Sequence, residues 1–427
     1  MIAKGRSVPP GPRGAGSMEA SRRLPEIIDA RSYALRGYPH DLWTTLRREA
    51  PLRWFEGEGV KPFWAVTRHR DIREIGEQPA KFLNAPRIMA DLDVRPNLVW
   101  SRHLLNMDSP EHEAYRAVLA PRFTAKALRA MAGWMDSIVE SSLARLDTQG
   151  AHWEGDFATE VARNITTALI AEMLGVAPAD RIRLIRWAQC MVAPADPEYQ
   201  RGRSTEETYV QAERDLFQWF APKIAERRTE PGGDLVSLLA TAQVQGRPVA
   251  SRDVLSFCQL FVTAGIDTTT AAICRGLHAL AEHPDQYRWL RDHGGEIATA
   301  AEELLRFASP VIHFCRTAVD PVEIAGCRVQ RGQTLVLFYP SANRDEEVFE
   351  RPFELRLDRK NNDHLAFGAG DHHCLGAPLA RMLLHAFLVH FVRRVETIEA
   401  TGKMEPVHSS VIGAIKRLPL RLRLAKS

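Results

Sequence analysis

The sequence predicts a mainly α-helical chain with a small β region. Two observations carry this: apolar residues recur at three- and four-residue spacing over long stretches, and alternating, strand-like runs are few and short. Taken in order, Met1 to Arg23 is rich in Gly, Pro, Ser and Arg and reads as a flexible tail, with Met18 a second candidate start. Strands are predicted at Leu52 to Phe55 and Phe63 to Thr67. Helical spacing then marks Leu128 to Leu146, Phe157 to Leu174, Tyr209 to Arg227, Leu235 to Ala242, Val254 to Ala281 and Ile297 to Phe307. His283-Pro284 and Ser309-Pro310 stop the last two. Val322 to Val329 and Thr334 to Phe338 read as strands joined through Gln330-Arg331-Gly332-Gln333, a length that suits a hairpin. From Ser341 to Gly376 the chain is irregular, and a long unpatterned stretch in a compact chain is more often functional or tightly packed than idle. A helix-forming run, Ala377 to Val392, follows it.

Composition narrows the function classes. Lys plus Arg number 56 against 53 Asp plus Glu, a net charge of +3. This is a balanced surface, not the basic footprint of a nucleic-acid binder. At 45% hydrophobic residues the chain is globular and not disordered. A length of 427 residues sets a soft prior of two or three domains, but no repeat or linker divides the chain. The 6 cysteines are scattered without a CxxC pair, which argues against a disulfide framework and for a reducing compartment. No run approaches the roughly 18 consecutive apolar residues of a membrane span, and the best, Leu383 to Val392, is broken by His385 and His390. A soluble, cytoplasmic chain without a membrane span is expected.

The most informative segment is Phe367-Gly368-Ala369-Gly370-Asp371-His372-His373-Cys374-Leu375-Gly376. Glycines let a backbone approach a flat or bulky group. A cysteine just before a helix N-terminus is favoured as the thiolate, a nucleophile or a metal ligand. Three readings compete: a glycine-rich turn around an inert buried cysteine, a zinc site from His364, His372, His373 and Cys374, or one axial thiolate to haem. Consecutive residues of an extended chain point opposite ways, which disfavours zinc.

Phe367 to Gly376 resembles, residue for residue, the FxxGxxxCxG haem-binding loop of the cytochrome P450 family, and the wider segment His364 to Arg381 is similar to its soluble bacterial members. The resemblance implies that Cys374 is the metal ligand, the proximal thiolate on haem iron. Phe367, Gly368, His372 and Gly376 then belong to the cofactor-binding loop.

Three other segments agree with it. Glu303 and Arg306 lie three apart on one helix face, which alone reads as a solvated pair. The family's ExxR pair is buried, and with Arg359 as the third member it supports the haem pocket structurally. Val254 to Ala281 is apolar nearly all round, yet its middle reads Ala264-Gly265-Ile266-Asp267-Thr268-Thr269-Thr270. Poor helix formers and a buried acid there mark either a packing kink or a functional site. The stretch resembles the family's AGxDT oxygen-binding segment. That implies catalytic Asp267 and Thr268, an acid–alcohol pair delivering protons to dioxygen, with Ala264 and Gly265 leaving room at the cofactor. Asp108-Ser109-Pro110 opens a helix carrying His112 and Arg116 four apart, by itself a capped surface helix. It is similar to the family's HxxxR, whose side chains bind haem propionates, as Arg316 and His372 would.

The resemblance runs from Tyr33 to the C-terminus and implies one helical, triangular-prism domain over residues 24–427, a haem b cofactor, and insertion of one oxygen atom from O2 into a hydrophobic small molecule. No dinucleotide or flavin motif is present, so electrons from NAD(P)H would arrive through a separate ferredoxin or flavodoxin with its reductase. Arg116, Arg122, Lys126 and Arg129 would dock that partner. A monomer that binds no nucleic acid is expected. By family position the substrate pocket draws on Ile88 to Trp100, Leu260, Phe261, Val311, Ile312, Phe314, Val411 and Ile412. A steroid, terpenoid or fatty compound is favoured, and macrolide or polyketide tailoring stands close behind. A peroxide-driven peroxygenase and a non-catalytic haem-thiolate sensor are the alternatives, and neither has use for the Asp267–Thr268 pair.

Overall fold

The computed structural model describes residues 24–57, 60–90 and 101–425. The Met1–Arg23 tail and the 91–100 part of the expected pocket lie outside the described residues. The helices that position the site are α1 (Glu111–Leu119), α2 (Ala125–Leu143), α3 (Arg163–Met173), α4 (Arg181–Val192), α5 (Thr205–Thr229), α6 (Ser251–Gly265), α7 (Asp267–Glu282), α8 (Ile297–Ala308) and α9 (Ala377–Arg394). Local chemistry sets their ends. Ser204 and Glu207 form a reciprocal capping box that starts α5. The α8 helix stops where Ser309 turns left-handed, at φ 39°, ahead of Pro310.

The predicted helix Val254 to Ala281 is two helices, α6 and α7, meeting at Ile266. Together, Ser251–Glu282 is the one helical stretch among the described residues long and apolar enough to cross a membrane. As 67% of its most apolar window is buried against other helices, core packing accounts for its composition. The predicted Phe157 to Leu174 helix begins with a π-helical turn, Ala158–Ala162, before α3.

The largest sheet among the described residues has five strands, β1 (Leu52–Gly57), β2 (Val60–Val66), β3 (Phe82–Leu83), β4 (His313–Ala318) and β5 (Thr334–Phe338), in spatial order β1-β2-β5-β4-β3. Within it β1 and β2 form a hairpin that pairs Phe55 with Phe63. The hairpin expected across Gln330–Gln333 does not form. Val322–Ile324 instead folds back on Cys327–Val329 through Ala325-Gly326, both at positive φ, the pair that a tight two-residue turn needs. The Thr334–Phe338 strand pairs with β4, a strand the sequence reading missed because His313 and Arg316 break its apolar pattern.

Candidate functional site

The irregular stretch before Cys374 is held from beneath by α8. Arg306 grips Glu303 with two bonds, Nε to Oε2 at 2.7 Å and Nη2 to Oε1 at 2.8 Å. Arg359 Nε donates to the same carboxylate at 3.1 Å, as do Asn362 Nδ2 and the backbone N–H of Arg356. Arg306 also donates to the carbonyls of Asn343 and Pro352. Glu303 and Arg306 are fully buried, so this is an interior clamp and not a solvated pair. Its two guanidinium groups and the backbone N–H hold the Glu303 carboxyl below the usual carboxylate range against the opposing effect of burial, the largest single influence.

Above the clamp, Gly368 and Gly370 take φ 72° and 70°. At Gly370 a Cβ would come 2.0 Å from the Gly76 carbonyl oxygen, so both its conformation and its contact require glycine. The Cys374 N–H donates to the Phe367 carbonyl at 2.9 Å, closing the loop. The N–H groups of Gly376 and Ala377, where α9 begins, lie beside Cys374, and the Ala377 N–H donates to the Cys374 carbonyl at 3.2 Å. Burial raises the thiol pKa, while these donors and Arg116 pull it down. Cys374, alone of the six cysteines, is exposed, and the surface it exposes is the wall of an internal cavity.

That cavity encloses about 350 Å³, within the range that buries most of a small ligand. Its wall takes in Phe367, Gly368, His372, Cys374 and Gly376 from the loop, and Ala264, Gly265 and Thr268 from the α6–α7 junction. Arg116 and Arg316 give it a cationic edge, and His112 adds an imidazole whose pKa burial and Arg116 lower. The His112 and His372 rings stack at 4.0 Å, and Asn84 lies 3.1 Å from His372 Nδ1. Burial first, then Arg316, His112 and Arg116, push the His372 pKa down to about 2, leaving a neutral hydrogen-bonding ring. The Arg116 guanidinium donates to the His373 carbonyl at 2.8 Å and Arg316 to its neighbour Cys315 at 2.9 Å. Among the described residues neither forms an ion pair with a carboxylate. His112 Nδ1 is buried without a partner. Two uncompensated guanidinium groups and an orphaned imidazole nitrogen beside a thiol suit a flat ligand bearing two carboxylates, so the site fits haem.

On the α7 side, Thr268 lines the cavity and its hydroxyl donates to the Ala264 carbonyl at 2.5 Å. Asp267 does not reach the cavity wall. It is 3% exposed, its Oδ2 has no partner, and burial raises its pKa to about 6 although the Arg163 charge opposes this. The two residues read as a pair from the sequence therefore face different surroundings.

Leu260, Phe261, Val311, Phe314, Val411 and Ile412 line the cavity, as do Ile88 and Met89. Ile312 does not, which corrects the expectation: its side chain packs into a separate core with Trp43 and Phe338, and its backbone is pinned to Val411 and Tyr339. Several polar lining residues escaped the sequence reading, Ser101, His103, Tyr209, Gln259 and Thr263 among them. The one available signal was Gln259, an amide inside the apolar run Phe257 to Phe261.

A family model described as Cytochrome P450 matches residues 21–293 and 297–420. The chain is 32% identical over 403 residues to a steroid C26-monooxygenase of Mycolicibacterium smegmatis, covering 92% of each. It is 31% identical to linalool 8-monooxygenase of Pseudomonas putida, covering 89% of this chain and 94% of the other. Among solved structures, CYP108D1 from Novosphingobium aromaticivorans superposes with a TM-score of 0.85 at 31% identity, over 96% of this chain and 99% of that one.

Proposed function

The chain belongs to the cytochrome P450 family, and from that premise we propose that it oxygenates a neutral hydrophobic molecule of the steroid or terpenoid class, with electrons from a ferredoxin or flavodoxin and its reductase. The observation that carries the reading is a single cavity lined by the Cys374 sulfur, a cationic edge and the Thr268 hydroxyl. Relatives that act on a steroid and on linalool support the substrate class. Haem, when bound, supplies the activation of dioxygen, and a thiolate donor favours O–O cleavage.

The protein's own residues do the rest. Cys374 presents its sulfur on a loop whose geometry Gly368, Gly370 and the Glu303–Arg306–Arg359 clamp maintain. Arg116, Arg316, His112 and His372 receive the cofactor's carboxylates. Ala264 keeps bulk away from the reacting centre, and Gly265 lets Ile170 close in on the helix junction, where a Cβ would stand 2.3 Å from its Cδ1. Thr268 Oγ holds a proton at the cavity wall, and Asp267, one residue back, is its nearest acid along the chain; a carboxyl with a pKa of about 6 exchanges protons readily near neutrality. Arg122, Lys126 and Arg129 are exposed around the start of α2, where they offer a basic surface to an acidic electron donor. Free cysteines throughout fit a reducing cytoplasm.

The test is the absorption spectrum of the reduced protein under carbon monoxide. A strongly red-shifted Soret band that disappears in Cys374→Ala supports the assignment. A band at the position of a neutral-ligand haem, or no haem in folded protein, overturns it.

A further inference from the structure

One end of the cavity is polar, and oxygen activation has no use for it. Gln259 is only 3% exposed, although its neighbours in α6 are Cys258 and Leu260. A buried amide is costly unless hydrogen-bonded. Here it meets Tyr209 Oη at 2.5 Å and the Ser101 hydroxyl, and Ser101 Oγ also lies 2.9 Å from a Glu213 carboxylate oxygen. A serine has one proton to give, so it cannot donate to both Glu213 and the amide oxygen. The set closes without conflict when the amide turns its nitrogen to Ser101 and its oxygen to Tyr209. Tyr209 then donates to Gln259, Gln259 to Ser101, and Ser101 to Glu213. The second N–H of the Gln259 amide remains to be offered to a guest. The Thr263 hydroxyl, one turn along, donates to the Gln259 backbone carbonyl at 2.9 Å and keeps a lone pair for the cavity.

We propose that Gln259, its amide oriented by Ser101, anchors a neutral oxygen function of the substrate, a hydroxyl or a ketone, at the end of the cavity remote from the oxidised carbon. This deepens the function proposed above and rests on it. Charge selects against an acid: the free donor at this end is one neutral amide N–H, which does not offset the desolvation of a carboxylate. The cavity cations Arg116 and Arg316 cannot compensate it, because they sit with the His372–Cys374 loop. Length follows from the helix. Thr268 lies nine positions after Gln259, across the α6–α7 junction, which at about 1.5 Å per residue is roughly 14 Å. A monoterpene is too short to touch both places, whereas a four-ring steroid spans them.

The test compares androstanone, androstane and androstane carboxylate by equilibrium dialysis against the haem-loaded protein, with the reduced carbon monoxide spectrum recorded on the same samples. The ketone should bind about tenfold tighter than the hydrocarbon, the yield of one neutral hydrogen bond in a dry site. The carboxylate should bind no tighter than the hydrocarbon. Gln259→Leu should erase the advantage of the ketone, and Ser101→Ala, a milder change, should reduce it at least threefold. Equal binding of ketone and hydrocarbon in the wild type overturns the anchor without any variant, as does tightest binding of the carboxylate or a full advantage retained in Gln259→Leu. A missing red-shifted band in the wild type instead sinks the function itself, so the two failures are distinguishable.

Discussion

Replacing Asp267 with Asn should stabilise the fold while slowing the reaction, and the stability gain should depend on pH in a defined way. Burial raises the Asp267 pKa from its ordinary 3.8 to about 6. The folded protein thus holds this proton more tightly than the unfolded chain does. Below about pH 4 both states are protonated and Asp267 exacts nothing; stability is then lost as pH rises to about 6, and the loss is complete at neutrality. A gap of about two units at 1.36 kcal/mol each amounts to about 3 kcal/mol. Arg163 does not alter the sum, because protonation and the Asn substitution remove its negative neighbour equally. Urea unfolding of both proteins, followed by tryptophan fluorescence at several pH values from 4 to 7.5, reads the difference. Asp267→Asn should be the more stable by about 3 kcal/mol at pH 7.5, with an advantage that shrinks towards zero by about pH 4. Substrate oxidation should fall about a hundredfold, the usual contribution of a positioned acid. A stability difference that is flat with pH, or absent at pH 7.5, would refute the claim that this carboxylate is held at a cost.

Glu303→Gln removes the charge that two buried guanidinium groups share, which should cost about 3–5 kcal/mol and lower the haem-to-protein ratio of the purified chain. Gly370→Ala places a methyl group against the Gly76 carbonyl at a positive φ, so the loop must shift and the red-shifted carbon monoxide band should weaken while the far-UV circular dichroism stays native. Thr268→Ala should keep haem and ligand binding but divert electrons to peroxide, seen as less product per NAD(P)H consumed; unchanged yield would remove Thr268 from proton delivery. Charge reversal of Arg122 and Lys126 should flatten the dependence of ferredoxin-supported turnover on salt.

What could be read in the sequence divides along a physical line. The Cys374 loop was legible because its function constrains consecutive residues: a left-handed φ at Gly368 and Gly370, and a thiol beside the first amides of α9, all within ten positions. The clamp was legible in part, since Glu303 and Arg306 are three apart on a helix, but only the fold buries them and brings Arg359 onto the same oxygen. Ile312 shows where neighbourhood along the chain misleads. Val311 and Ile312 are equally apolar, and the bonds that pin the Ile312 backbone to Val411 and Tyr339 turn one side chain to the cavity and the other to the core.

The Asp267–Thr268 pair and the polar end show the complementary limit. Adjacent positions on a helix point about 100° apart, so two neighbours share one chemical site only if something carries a proton between them. Here Thr268 meets the cavity, whereas Asp267 is buried away from it within the electrostatic reach of Arg163, so the two share no common surface. Gln259, Ser101 and Tyr209 present the reverse case. They are distant in sequence, each unexceptional alone, and joined only where α5 and α6 face the segment ahead of α1. Chemistry common to a whole family tends to reside in short local motifs, whereas selectivity for one substrate is assembled from residues that only the packing brings together. The polar end is therefore where this chain's own specificity should be sought, and its neutral donors beside Glu213 argue for an uncharged, oxygen-bearing guest over a fatty acid.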